Sequence, residues 1–113
     1  MENRLTDEEK AYLLRLARKA IESAVLQKDL PAVSLESLSP ALREEGASFV
    51  TLTERGELRG CIGALEAYQP LALDVREHAV AAAMDDPRFP PVQPAELPRL
   101  HIEISRLTPP QPL

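Results

Sequence analysis

The single thiol of this 113-residue chain sits in an unusual setting: Leu58-Arg59-Gly60-Cys61-Ile62-Gly63 holds the only cysteine and two of the four glycines. In an extended backbone side chains alternate between faces, so Arg59 and Cys61 would share one side, with Leu58 and Ile62 on the other. A guanidinium beside a thiol favours the thiolate, which is the nucleophilic form. Gly60 and Gly63 strip side-chain cover from the run, as happens where a strand bends, bulges or lets a backbone or ligand approach closely. A second group of reactive types lies at His101, Glu103 and Ser105, which alternate with apolar residues. If the fold sets that segment alongside Cys61, His101 acts as base and Glu103 orients it, and the chain is an enzyme with Cys61 as nucleophile. The competing reading is that a mid-strand cysteine behaves as a small buried hydrophobe and catalyses nothing.

A third cluster is Asp86-Pro87-Arg88-Phe89-Pro90-Pro91. Each proline biases the residue before it toward extended geometry, so Asp86 and Phe89 are stiffened. Asp85 and Asp86 fall at the end of a helical pattern, where the dipole disfavours negative charge, and breaking a local rule in this way marks a functional or strained place. Arg88 either neutralises one of these carboxylates while Phe89 plugs the core, or the two form the rim of a pocket. On the pocket reading Arg59, Gly60, Gly63, Asp86, Arg88 and Phe89 are the ligand-binding set. Cys61, His78 and His101 show no paired-ligand spacing, so no metal and no cofactor is expected. His78 follows Asp74 by four residues, which on a helix either lifts its proton affinity modestly or leaves a packed histidine.

These groups need elements to hold them. Thr6-Asp7-Glu8-Glu9 reads as a capping box. Behind it Leu13, Leu14, Leu16, Ala17, Ala20, Ile21, Ala24 and Val25 recur at helical spacing, leaving Arg15, Arg18, Lys19 and Glu22 for solvent. Residues 29–46 read as irregular, with a short helical turn over 39–45. The run 47–53 is rich in β-formers and pairs through Glu54-Arg55-Gly56-Glu57 with 57–65, giving a hairpin whose second strand bears Cys61. Pro70 opens a second helix with a stripe of Leu71, Val75, Ala79 and Ala82 or Ala83. Residues 100–107 alternate as a strand, and the proline-rich tail 108–113 cannot extend a ladder.

At 113 residues a single domain spanning 1–113 is expected, hiding on the order of 65% of the unfolded chain's surface. Aromatics make up only 4%, so the core must rest on aliphatic side chains. Thirteen basic against eighteen acidic residues give a net charge of -5, and no basic block is present, which argues against nucleic acid. No apolar run approaches membrane-spanning length, and one cysteine cannot form an internal disulfide, so a reducing cytoplasm is the expected setting.

Phe49-Val50-Thr51-Leu52, the 58–63 run, Ala82-Ala83-Met84-Asp85-Asp86-Pro87-Arg88-Phe89-Pro90-Pro91 and Ile102-Glu103-Ile104-Ser105 follow one another in a familiar order and spacing. On these motifs the chain, from about residue 6 to residue 110, resembles the family of the AMME-syndrome candidate region protein. Bacterial and archaeal members of that family are called AmmeMemoRadiSam system protein A. The resemblance implies an α+β fold with an antiparallel sheet and flanking helices, and Arg59, Gly60, Cys61, Gly63, Asp86, Arg88 and Phe89 are the positions that carry over. It also implies a domain that continues further, so this chain is expected to be a short or truncated relative that exposes apolar surface and forms a homo-oligomer. About activity it implies little: an accessory or regulatory role, association with a Memo-like protein and a radical-SAM protein, and a suspected link to nucleic-acid machinery. The leading expectation is a ligand- or partner-binding domain with its cleft between the Cys61 strand and the Arg88 loop.

Overall fold

A computed structural model describes residues 5–107, which include every candidate site residue; the tail 108–113 lies outside the described residues. Helix α1 spans Asp7–Val25. The capping box at its start is formed: the Glu9 amide donates to Thr6 Oγ1 at 3.0 Å and the Thr6 amide to Glu9 Oε1 at 2.7 Å. The other Glu9 oxygen accepts from the Ser39 hydroxyl, which ties the start of α1 to the four-residue helix α2 (Pro40–Arg43). Replacing Thr6 with Ala removes the acceptor of one of these two linked bonds. It is expected to lower unfolding free energy by about 1 kcal/mol in urea denaturation.

The α1 stripe is narrower than its sequence pattern suggests. Leu13, Leu16, Ala17, Ala20, Ile21 and Val25 are buried, whereas Leu14 is 41% exposed. Arg18, expected in solvent, is partly buried and donates to the carbonyls of Leu97 and Leu100. It thereby anchors the entry to the last strand.

Strand β1 (Ala47–Glu54) turns through Arg55 and Gly56 into β2 (Glu57–Gly63). Both turn residues have positive φ, 54° and 81°, the pairing that two-residue hairpins with the right twist require. Helix α3 covers Leu71–Met84, and a 3-10 segment at Pro94–Arg99 leads into β3 (Leu100–Leu107). The sheet order is β2-β1-β3, antiparallel throughout, so the first strand is central and the last is an edge. This is the α+β class, with antiparallel sheet and flanking helices, that the resemblance implied.

Ser48, Val50 and Leu52 of β1 and Leu100 and Ile102 of β3 are buried under α1 and α3. The opposite face carries Phe49, Thr51 and Thr53 of β1, Cys61 of β2, and His101, Glu103 and Ser105 of β3. Core residues are nearly all aliphatic, as the shortage of aromatics dictates. Among the described residues no helix is long and apolar enough to cross a membrane.

Candidate functional site

The β1–β2 register shifts between Leu52 and Thr53: Leu52 faces Gly60, while Thr53 faces Leu58. Arg59 is the extra residue of this bulge, and the extra residue breaks the alternation. The expectation that Arg59 and Cys61 share a face therefore does not hold in its simple form. Leu58 sits opposite Thr53 and is 43% exposed, and Arg59 turns away to Glu96, with Nε to Oε1 at 3.2 Å and Nη2 to Oε2 at 3.0 Å. Burial pushes the Glu96 carboxyl up, but its bonds with Arg59 and the Gln93 amide prevail and hold it below its ordinary value. The cation that reaches Cys61 is Arg88.

The Asp86 loop does not stand off from β2 across a cleft; it lies directly on it. Because β2 is an edge strand, the outward amide and carbonyl of Cys61 lack a strand partner, and unpaired edge groups invite aggregation. Side chains fill that place here. Asp86 Oδ2 accepts from the Cys61 amide at 3.0 Å, and Arg88 Nη2 approaches the Cys61 carbonyl at 3.4 Å. Asp86 Oδ1 accepts from both the Arg88 amide and Nε at 3.0 Å, and Oδ2 from Nη2 at 2.8 Å. A carboxylate and a guanidinium, clamped together, thus act as a one-residue substitute for a neighbouring strand. The negative charge at the end of α3 is offset by Arg88, one of the two roles the sequence left open.

Phe89 lies within reach of two cations, with the Arg59 and Arg88 guanidinium carbons 5.9 Å and 5.5 Å from its ring centroid. Its partners are charged, and both come from the motif pair. The Cys61 sulfur is 3.3 Å from the Thr51 hydroxyl on the adjacent strand. The glycines make room for contacts. A Cβ on Gly60 would lie 2.1 Å from the Ala82 carbonyl oxygen of α3, and one on Gly63 would meet the Phe49 ring and the Ser48 carbonyl, each at 2.4 Å.

His101 and Glu103 do not join Cys61. In register, Cys61 faces Thr51, which faces Glu103, so a full strand intervenes. Two strand spacings amount to roughly 10 Å, beyond hydrogen-bond reach. The imidazole, 69% exposed, lies 3.6 Å from Glu103 and forms no hydrogen-bonded dyad with the thiol. The described residues contain no group of three or more His, Cys, Asp or Glu side chains disposed to hold a metal.

Asp86 is 4% exposed. The Arg88 guanidinium first, then the amides of Cys61 and Arg88, hold its carboxyl well below its ordinary value of 3.8. A carboxyl depressed by folding stabilises the fold in full above its unfolded value and loses that contribution as pH falls toward the folded one. Asp86→Asn is therefore expected to melt several degrees lower than the parent at neutral pH. The gap should narrow on acidification below about pH 4, which thermal unfolding across that range would read.

A cluster of polar groups that the motifs did not single out is buried behind the sheet. Asp74, fully buried on α3, accepts from the Ser48 amide at 2.8 Å, the Ser48 hydroxyl at 2.7 Å and Gln69 Nε2 at 3.0 Å, and pairs with His78 Nδ1 at 3.0 Å. The sequence signal was present: Asp74 and His78 fall on the buried stripe of Leu71, Val75 and Ala79, and Ser48 has the inward parity of Val50 and Leu52.

A family model described as AMMECR1 matches residues 14–113. A curated protein from Methanothermobacter thermautotrophicus is 43% identical over 116 residues, covering 96% of this chain and 56% of that protein. One from Thermococcus gammatolerans is 44% identical over 115 residues, covering 97% and 56%. The crystal structure of an uncharacterised protein from Pyrococcus horikoshii superposes with a TM-score of 0.86 at 38% identity, covering 95% of this chain and 55% of that one. The chain spans a little over half the length of the curated relatives it matches.

Proposed function

The chain belongs to the AMMECR1 family, and from that premise we propose that it works as a non-catalytic accessory module that binds an anionic group of a ligand or partner protein. Binding takes place on the open side of the sheet, at the Arg88 edge of Cys61. One observation carries this reading: Arg88, with its side chain 56% exposed, is positioned by the nearly buried Asp86 carboxylate and by Phe89 against the carbonyl of Cys61, whose partly buried thiol contacts the Thr51 hydroxyl. Guanidinium groups held in a fixed orientation suit carboxylate and phosphate, and pre-positioning lowers the entropy lost on binding. The separation of His101 from Cys61 favours this reading over nucleophilic catalysis. The net charge of -5 weighs against nucleic acid as the anion.

Amide chemical shifts followed during titration with inorganic phosphate and with a glutamate-rich peptide test the reading. Changes centred on residues 58–63 and 86–89 are expected, and their absence overturns it. A purified Memo-like protein and a purified radical-SAM protein, the partners suggested by the family resemblance, serve as macromolecular probes in the same assay. Iodoacetamide labelling separates the enzymatic alternative. Slow labelling at neutral pH supports the binding module, whereas full thiolate reactivity at neutral pH favours a nucleophile.

A further inference from the structure

Residues of β2 turn their backbone groups alternately to β1 and to the outer edge. Gly60 and Ile62 stand opposite Leu52 and Val50, and the Ala64 amide donates to the Ser48 carbonyl at 3.2 Å, so these three face β1. Cys61 and Gly63 therefore face outward. At Cys61 the amide and carbonyl are met by Asp86 and Arg88. At Gly63, which is only half-buried, neither group has a partner among the described residues. Arg88 in turn holds a donor in reserve: Nε and Nη2 go to Asp86 and the Cys61 carbonyl, while Nη1 makes no bond among the described residues and the side chain is 56% exposed. An unpaired amide and carbonyl thus adjoin, two residues along the same edge, a cation with an unused N–H.

We propose that this edge receives the C-terminal end of an extended polypeptide, paired antiparallel to β2, with its terminal carboxylate on Arg88. The inference rests on the anion-binding reading above and names the anion. A peptide residue opposite Gly63 exchanges both backbone bonds with it, the mode by which sheet edges take up extended chains. The next peptide residue stands opposite Ile62. A further one would meet Cys61, whose place is already taken by the Asp86 and Arg88 side chains, so the peptide has to end opposite Ile62. Its carboxylate then arrives where Arg88 stands. The pair that covers Cys61 acts as the stop that sets the register. Charge also selects the direction, because in parallel pairing the end nearest Arg88 would be an ammonium, set against a guanidinium. Asp86 does not offset that repulsion, since both of its oxygens are engaged by Arg88 and the Cys61 amide. A free phosphate reaches Arg88 but leaves Gly63 unpaired, whereas a free C-terminus satisfies both. The last side chain of the peptide falls on the face of Ile62, which packs against the core, so an apolar residue is favoured there.

An N-acetylated hexapeptide of alternating threonine and valine, ending in valine, tests the proposal in two forms, the free acid and the C-terminal amide, with inorganic phosphate as a third probe. Amide chemical shifts and hydrogen exchange of the unaltered chain are the readouts. The free acid is expected to bind at least about tenfold more tightly than the amide, as the gain of a charge-assisted contact implies, and to slow exchange of the Gly63 amide. Phosphate should shift residues 86–89 and leave exchange at Gly63 unchanged. Arg88→Gln should bring the affinities of the two peptide forms together. Because that substitution also disturbs the Asp86 contacts, the comparison of acid with amide on the unaltered chain is decisive without it. Phosphate shifts at 86–89 with no preference for the free acid, or with no slowing at Gly63, overturn the inference and leave the anion-binding reading standing. Silence of residues 58–63 and 86–89 toward phosphate and both peptides overturns the two together.

Discussion

Gly60→Ala is expected to cost about 3 kcal/mol or more of unfolding free energy, the upper part of the range for forcing extra volume into a packed interior. The added methyl would sit 2.1 Å from the Ala82 carbonyl oxygen and 3.1 Å from its carbon. Both obstacles are helix backbone, so no rotamer change relieves them, and either α3 or β2 must move. The consequence extends to the candidate site. Ala82 lies four residues before Asp86, and the close approach at Gly60 is what brings the end of α3 near enough for the Asp86 carboxylate to reach the Cys61 amide. Faster hydrogen exchange at the Cys61 amide should therefore accompany the loss of stability. Gly56→Ala is the control: its φ of 81° carries strain but nothing lies within 4 Å. There the cost should be only about 1 kcal/mol. Equal effects of the two substitutions in urea denaturation would show that close packing is not why Gly60 is glycine.

The hairpin, the two long helices and the final strand were legible because each is announced locally: a capping box at Thr6, Gly56 in a two-residue turn, Pro70 before a helix, strict alternation from Leu100. The site was legible only in part. That Gly60 marks a close backbone approach could be read from the residue type, but that the approaching group is Ala82 could not, since it depends on how α3 crosses β2. The bulge at Arg59 escaped for a related reason. Nothing in Leu58-Arg59-Gly60 says that one residue will be looped out, and a single extra residue redirects Arg59 from Cys61 to Glu96. The Asp86 loop showed its stiffness through its prolines, yet its purpose in covering the β2 edge became apparent only once β2 proved to be an outer strand. His101 and Glu103 were read as a pair and lie within 3.6 Å. Their distance from Cys61 was set by strand order, which hydrophobic alternation does not encode.

Strand order also explains why the largest polar effect is expected away from the motifs. Asp74→Ala should destabilise the chain by about 4 kcal/mol, because removing one partner of a buried polar set leaves the others desolvated and unsatisfied. Ser48 is completely buried, and both its amide and its hydroxyl donate to the same Asp74 oxygen. That amide belongs to the central strand, and without the carboxylate no water can easily reach it. Gln69 and His78 lose an interaction as well, but Gln69 is less enclosed and can turn to Glu77, which it already contacts at 3.3 Å. Against a typical total stability of 5–15 kcal/mol such a loss leaves a domain of this size close to unfolding at physiological temperature. Asp74→Asn keeps the shape and one acceptor oxygen, so it should cost roughly half as much. Ser48→Ala in the Asp74→Ala background should recover part of the loss, since it deletes the stranded hydroxyl. A double-mutant cycle in urea measures that coupling. Additive losses would mean that the hydroxyl and the carboxylate do not depend on each other, and the tie between β1 and α3 would then have to be sought in apolar packing alone.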